Sequence, residues 1–130
     1  MSPTKRLYRL SPAERHAIRD QIAAELSHDP DVLFAYVYGL LLKSEAFDVV
    51  DIAVYLSTSH FNNTTVANLS AHLSGKLNLP VNVRSLNTAP IAFRFHILRS
   101  ECLFSRDDDL RASIMEDAEL RSGRPRLLQG

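Results

Sequence analysis

The chain has 130 residues, 45% of them hydrophobic and 23% charged, which is enough for one buried core and too little for two comfortable domains. Fifteen basic and fifteen acidic side chains cancel to a formal zero, so no broad positive field marks the chain as a nucleic-acid binder, and a balance near zero favours association over colloidal repulsion. A single cysteine, Cys102, excludes an internal disulfide framework; no apolar run reaches membrane-spanning length, and the basic residues of segment 1–10 lack a following apolar signal core, so the expected address is the cytoplasm.

In chain order, Ser11-Pro12-Ala13-Glu14 reads as a capping box with proline at the first helical position. It opens a helix through Ile18, Ile22, Ala23 and Leu26 that His28-Asp29-Pro30 stops. Residues 32–38 are β-branched and aromatic, predict a core strand, and end at Gly39. Residues 49–56 form a second expected strand. After a polar turn, Val66, Leu69, Leu73 and Leu77 recur at helical spacing over 65–77, and residues 80–86 predict a third strand. Pro90 opens a helix through Ile91, Phe95 and Leu98, a short strand follows at 102–104, and Asp107 begins a last helix through Leu110, Ile114 and Leu120. The reading is an α/β (α+β) domain over residues 11–121, a mixed sheet with helices packed on it, flanked by an N-terminal segment 1–10 and a flexible tail 122–130.

Most groups that invite a chemical reading have a structural explanation. His16, His28, His60, His72 and His96 are scattered and form no pair at metal-binding spacing on one helix. Asp107-Asp108-Asp109 stands where a helix cap and the helix dipole want acids. Arg94, Arg99, Arg106, Arg111 and Arg121 have acidic neighbours such as Glu101 and Glu116, which predicts a mixed, solvated surface. Cys102, beside Leu103 and Phe104, is expected to be a buried thiol. Asp51 is different, because a charge between Val50 and Ile52 in a strand demands a partner, such as a loop amide, Lys43 or a bound ligand.

Tyr38-Gly39-Leu40, followed by Val49-Val50-Asp51-Ile52-Ala53-Val54 and later by Val81-Asn82-Val83, resembles the minimal nucleotidyltransferase (MNT) family of the DNA polymerase β superfamily. The resemblance covers about residues 31–120. In that family an apolar strand ends in Gly-Ser, an Asp-x-Asp pair lies on the next strand, and a third acid sits on a later one. Acids two apart on a strand share a face, which suits a pair of Mg²⁺ ions bridging the attacking and leaving oxygens of nucleotidyl transfer. Gly39 and Asp51 match the pattern. Leu40 replaces the serine, Ala53 the second acid and Asn82 the third, while Lys43 falls where the family often places a basic residue. Asp48 and Glu45 are the nearest other acids, and Asp48 points to the opposite face unless a bulge intervenes.

The resemblance implies a protein similar to antitoxins that pair with helical HEPN toxins and modify them with adenylyl groups from ATP. With two acids and a hydroxyl missing, and each such loss costing roughly a hundredfold to a thousandfold in rate, the expectation is a pseudoenzyme that binds a HEPN-type partner by contact. It would take no cofactor, retain at most weak metal binding at Asp51, and be capable of self-association. The alternative is an active nucleotidyltransferase using Mg²⁺ and ATP to modify a protein or small molecule through an atypical metal site. A nucleotide sensor without chemistry is a third option, weakened by Leu40.

Overall fold

The computed structural model describes residues 6–39, 41, 45–57 and 63–122. Helix α1 spans Pro12–Ser27 and begins at the predicted capping box: the Ser11 hydroxyl accepts from the Glu14 amide at 3.1 Å and the Glu14 carboxylate accepts from the Ser11 amide at 2.8 Å. Strands β2 (Val32–Tyr38) and β4 (Val50–Leu56), helix α2 (Asn63–Leu77), strand β5 (Val81–Ser85), helix α3 (Ile91–Leu98), strand β6 (Glu101–Ser105) and helix α4 (Asp108–Arg121) follow in the order read from the sequence. Two two-residue strands, β1 (Tyr8–Arg9) and β3 (Ala46–Phe47), pair antiparallel outside the main sheet, and Tyr8 stacks on Phe47 with ring centroids 5.8 Å apart. They are too short to leave a periodic signal.

The main sheet runs β5-β4-β2-β6. Its β4–β5 pair is parallel, as a crossover through α2 requires, and β2 is antiparallel to both β4 and β6, so the sheet is mixed as expected. On one face Val37, Ile52, Val54 and Val83 meet Ile22 and Leu26 of α1 and Leu73 of α2. On the other, Phe34, Tyr36, Tyr38 and Ala53 meet Ile97 and Leu98 of α3 and Ala118 of α4.

Polar side chains fasten the ends of these elements. Ser70 and Ser74, one turn apart on α2, accept the Val83 and Val81 amides at 2.9 and 3.0 Å along the outer edge of β5. Asn87 extends the sheet past β4, accepting from the Leu56 amide at 2.9 Å and donating to the Leu56 carbonyl at 2.8 Å. Asp107 caps α4 by accepting from the Leu110 amide at 3.0 Å.

Two sequence expectations need correction. Three of the five arginines read as solvated surface are ties: Arg106 donates to the Val32, Ser27 and Asp29 carbonyls, Arg94 to those of Leu86 and Asn87, and Arg111 to the Tyr36 hydroxyl at 3.0 Å. A guanidinium has five donors in a planar fork, so one side chain can tie several acceptors at loop ends at once. Cys102 is exposed, not buried. It lies on β6, an edge strand with a neighbour on one side only, and its companions Leu103 and Phe104 supply that strand's packing against the core.

Candidate nucleotidyltransferase site

The site is built at the end of β2 and the start of β4. β2 delivers Tyr38 opposite Asp51 of β4, and β5 delivers Asn82 beside Asp51 on the other side. Paired residues in neighbouring strands share a face, so Tyr38, Asp51 and Asn82 form one row across the sheet. The next row contains Tyr36, Ala53 and Arg84. The structure therefore brings Asp51 and Asn82 into contact and puts Ala53 on their face, one step along the strand.

Gly39 ends β2 with φ of +80°, a left-handed conformation that glycine alone adopts without penalty. A Cβ there would stand 2.6 Å from Asp51 Oδ2, so the backbone of the turn and the carboxylate occupy adjoining space that only a hydrogen can share. Arg15 of α1 anchors the chain beyond the turn: its guanidinium donates to the Leu41 and Glu45 carbonyls, and its Nε to the Leu10 carbonyl at 3.1 Å. Nothing in the local sequence around Arg15 announces this role, since its partners lie 26 and 30 residues away. Leu40 and Lys43, which the family resemblance also singled out, lie outside the described residues, as does His60.

Asp51 is half-buried. The Asn82 amide donates to its Oδ1 at a long 3.4 Å. Loss of surrounding water pushes its carboxyl pKa above the ordinary value; the Asn82 hydrogen bond counters this, Asp48 adds to it and Arg84 opposes it. Asp48 lies in the bend between β3 and β4 and not on the strand, so the alternation expected to turn it to the opposite face does not apply to it. Tyr38 is also raised, first by burial and then by Asp51. Arg84 is exposed, and its guanidinium lies 4.2 Å over the Phe93 ring, which in turn meets Tyr38 edge to face with centroids 5.6 Å apart. Sequence reading missed Arg84 and Phe93; the signal available was the spacing Asn82-x-Arg84, which puts a cation on the same strand face as the third-acid position.

A divalent metal fits this donor set poorly. Mg²⁺ wants several hard oxygens, whereas the three positions offer one carboxylate, one amide whose NH₂ faces that carboxylate, and a methyl group with no exposure to solvent. Among the described residues no group of three His, Cys, Asp or Glu side chains could hold a metal, and no helix is long and apolar enough to cross a membrane. Two of the remaining histidines have acidic neighbours: His72 Nε2 meets Glu25 Oε1 at 2.7 Å, and His16 lies 3.4 Å from Asp20.

A glycine-ended strand, a following strand with an acid on its open face, and a parallel third strand with a polar residue beside that acid together define a nucleotidyltransferase fold. The polymerase beta nucleotidyltransferase family model matches residues 20–109, and the chain belongs to that family. Solved structures agree at the level of fold. A chain in the MntA–HepT toxin–antitoxin complex is 16% identical with a TM-score of 0.65, over 82% of this chain and 86% of that one. One in the complex of a tri-AMPylated HEPN toxin with MNT antitoxin from Shewanella oneidensis is 15% identical with a TM-score of 0.66, over 83% and 86%. A third, in a toxin–antitoxin structure with AMP-PNP, is 17% identical with a TM-score of 0.67, over 79% and 86%. No curated protein matches the chain by sequence.

Proposed function

We propose that this chain is a catalytically degraded nucleotidyltransferase that acts in the cytoplasm as an antitoxin-like binding partner of a HEPN-type protein. The observation that carries the reading is the contrast at the acid row: Asp51 is the one carboxylate among the three positions, while the strands and the Gly39 turn that would present all three are intact. Transfer chemistry needs charge at the missing positions, because it proceeds by positioning and electrostatic stabilisation of developing phosphate charge. Binding by surface contact does not. Neighbours of this fold were solved as toxin–antitoxin complexes, including one with an AMPylated HEPN toxin, which supports the choice of partner class.

The test is co-expression with a HEPN-type protein from the same genome. The expected outcome is co-elution and restored growth, equal for the wild type and for Asp51→Ala, with no adenylyl mass increment on the partner. An increment that depends on Asp51 would overturn the degraded-site reading, and failure to co-elute would overturn the partner.

A further inference from the structure

The missing carboxylates leave a question of charge, because Asp51 keeps its acid on a face where the family pattern implies a cation between several. We propose that Arg84 supplies that positive charge from within the chain, making the Asp51–Asn82 pair a metal-free arrangement that excludes a divalent cation. The inference concerns the same site as the proposed function but goes beyond it and stands whether or not a HEPN-type protein is the partner.

Three observations carry it. First, Arg84 is paired in register with Ala53, so the guanidinium belongs to the row in which the second acid would stand. Second, the guanidinium is held in place although its residue is exposed: it lies 4.2 Å over Phe93, and Phe93 is braced edge to face by Tyr38, the residue opposite Asp51. Cation–π contact of this kind fixes a guanidinium without consuming its donors. Third, Asn82 turns an N–H toward Asp51 Oδ1. That donor takes the position from which a shared metal would be coordinated, and it removes the repulsion two adjacent carboxylates would suffer without one. Arg84 also opposes the upward shift of Asp51 and of Tyr38, although burial outweighs it at both.

The experiment uses the full chain with a second acid restored at the exposed position, where folding is not at stake. Mn²⁺ titrations followed by the paramagnetic resonance of the free ion would compare wild type, Asn82→Asp, and Asn82→Asp with Arg84→Val; Arg84→Gln replaces the valine variant if circular dichroism shows that one unfolded. The expected result is that wild type binds no Mn²⁺, that Asn82→Asp gains weak binding at most, and that removing the guanidinium from it tightens binding at least tenfold. Binding by Asn82→Asp alone that matches the double variant would overturn the proposal. So would a gain of less than tenfold on removing Arg84, including the case in which no variant binds. Partner capture is read separately, so its failure and the failure of this proposal are distinguishable.

Discussion

The two faces of the central sheet are made by the same four strands and differ in kind. Under α1 and α2 the face is aliphatic: Val37, Ile52, Val54 and Val83 are all buried, and the packing requires nothing beyond shape and burial. Under α3 and α4 it is aromatic with polar tips, with Phe34 stacked on Tyr55, Tyr36 receiving Arg111 and Tyr38 braced by Phe93. Asp51, Asn82 and Arg84 lie at the open end of this second face. Ala53, in the same row as Arg84, belongs to its sealed part. The lesson is that Ala53 is sealed in the core, whereas Asn82 is open to water.

That contrast can be broken most forcefully at Ala53. Because its side chain is fully buried among Tyr36, Leu86 and Ile97, Ala53→Asp should cost about 3 kcal/mol through an ill-compensated buried charge, whereas Asn82→Asp, on the exposed edge, should cost less than about 1 kcal/mol. Urea denaturation of both variants checks this. Similar midpoints would show that the two positions do not differ in burial as described.

A smaller effect is expected at the turn. Gly39→Ala combines a positive φ with a Cβ 2.6 Å from Asp51 Oδ2 and should destabilise by about 1–3 kcal/mol. Adding Asp51→Ala removes the clash but not the backbone strain, so a double-mutant cycle should return roughly half of the loss. Strict additivity would mean that the glycine serves the backbone alone.

The smallest effect is a pH dependence. The raised pKa of Asp51, caused first by loss of water around it, means that the folded state holds this proton more tightly than the unfolded chain. Ionisation is therefore unfavourable to folding: stability falls as pH rises from the ordinary carboxylate range through the raised value, and the penalty is constant above it. Asp51→Asn should melt slightly higher than wild type at neutral pH, the effect being small because solvent screens a half-exposed group. The difference should vanish in acid, below both values. A variant that melts lower at neutral pH would mean that the carboxylate is stabilised in place, the opposite of the expected sign.

Much of this was legible in the sequence. The order of long elements followed from apolar periodicity and from local signals such as the Ser11 box and the Asp107 cap, whose partners lie within three residues. The convergence of Asp51 and Asn82 also followed, because family spacing encodes strand neighbours. What was hidden depends on distant pairs. Arg106 reaches carbonyls more than 70 residues away, Arg111 reaches Tyr36 from 75 away, and neither composition nor period distinguishes such an arginine from a surface one. Cys102 was misjudged because its apolar neighbours suggested a core, whereas burial was decided by the edge position of its strand. Arg84 was hidden for a related reason: the family pattern is defined by its acids, and a cation standing among their positions has no place in it.

The two serines on α2 also constrain how copies of this fold can meet. A bare strand rim is a template on which another chain can grow main chain to main chain, and repetition of that step leads to fibres. Along β5 the Val81 and Val83 donors are already engaged by Ser74 and Ser70, so a second backbone finds neither amide free. Association across this rim is left to side chains, whose fit depends on sequence, and a small domain of zero net charge thereby gains protection against indiscriminate stacking.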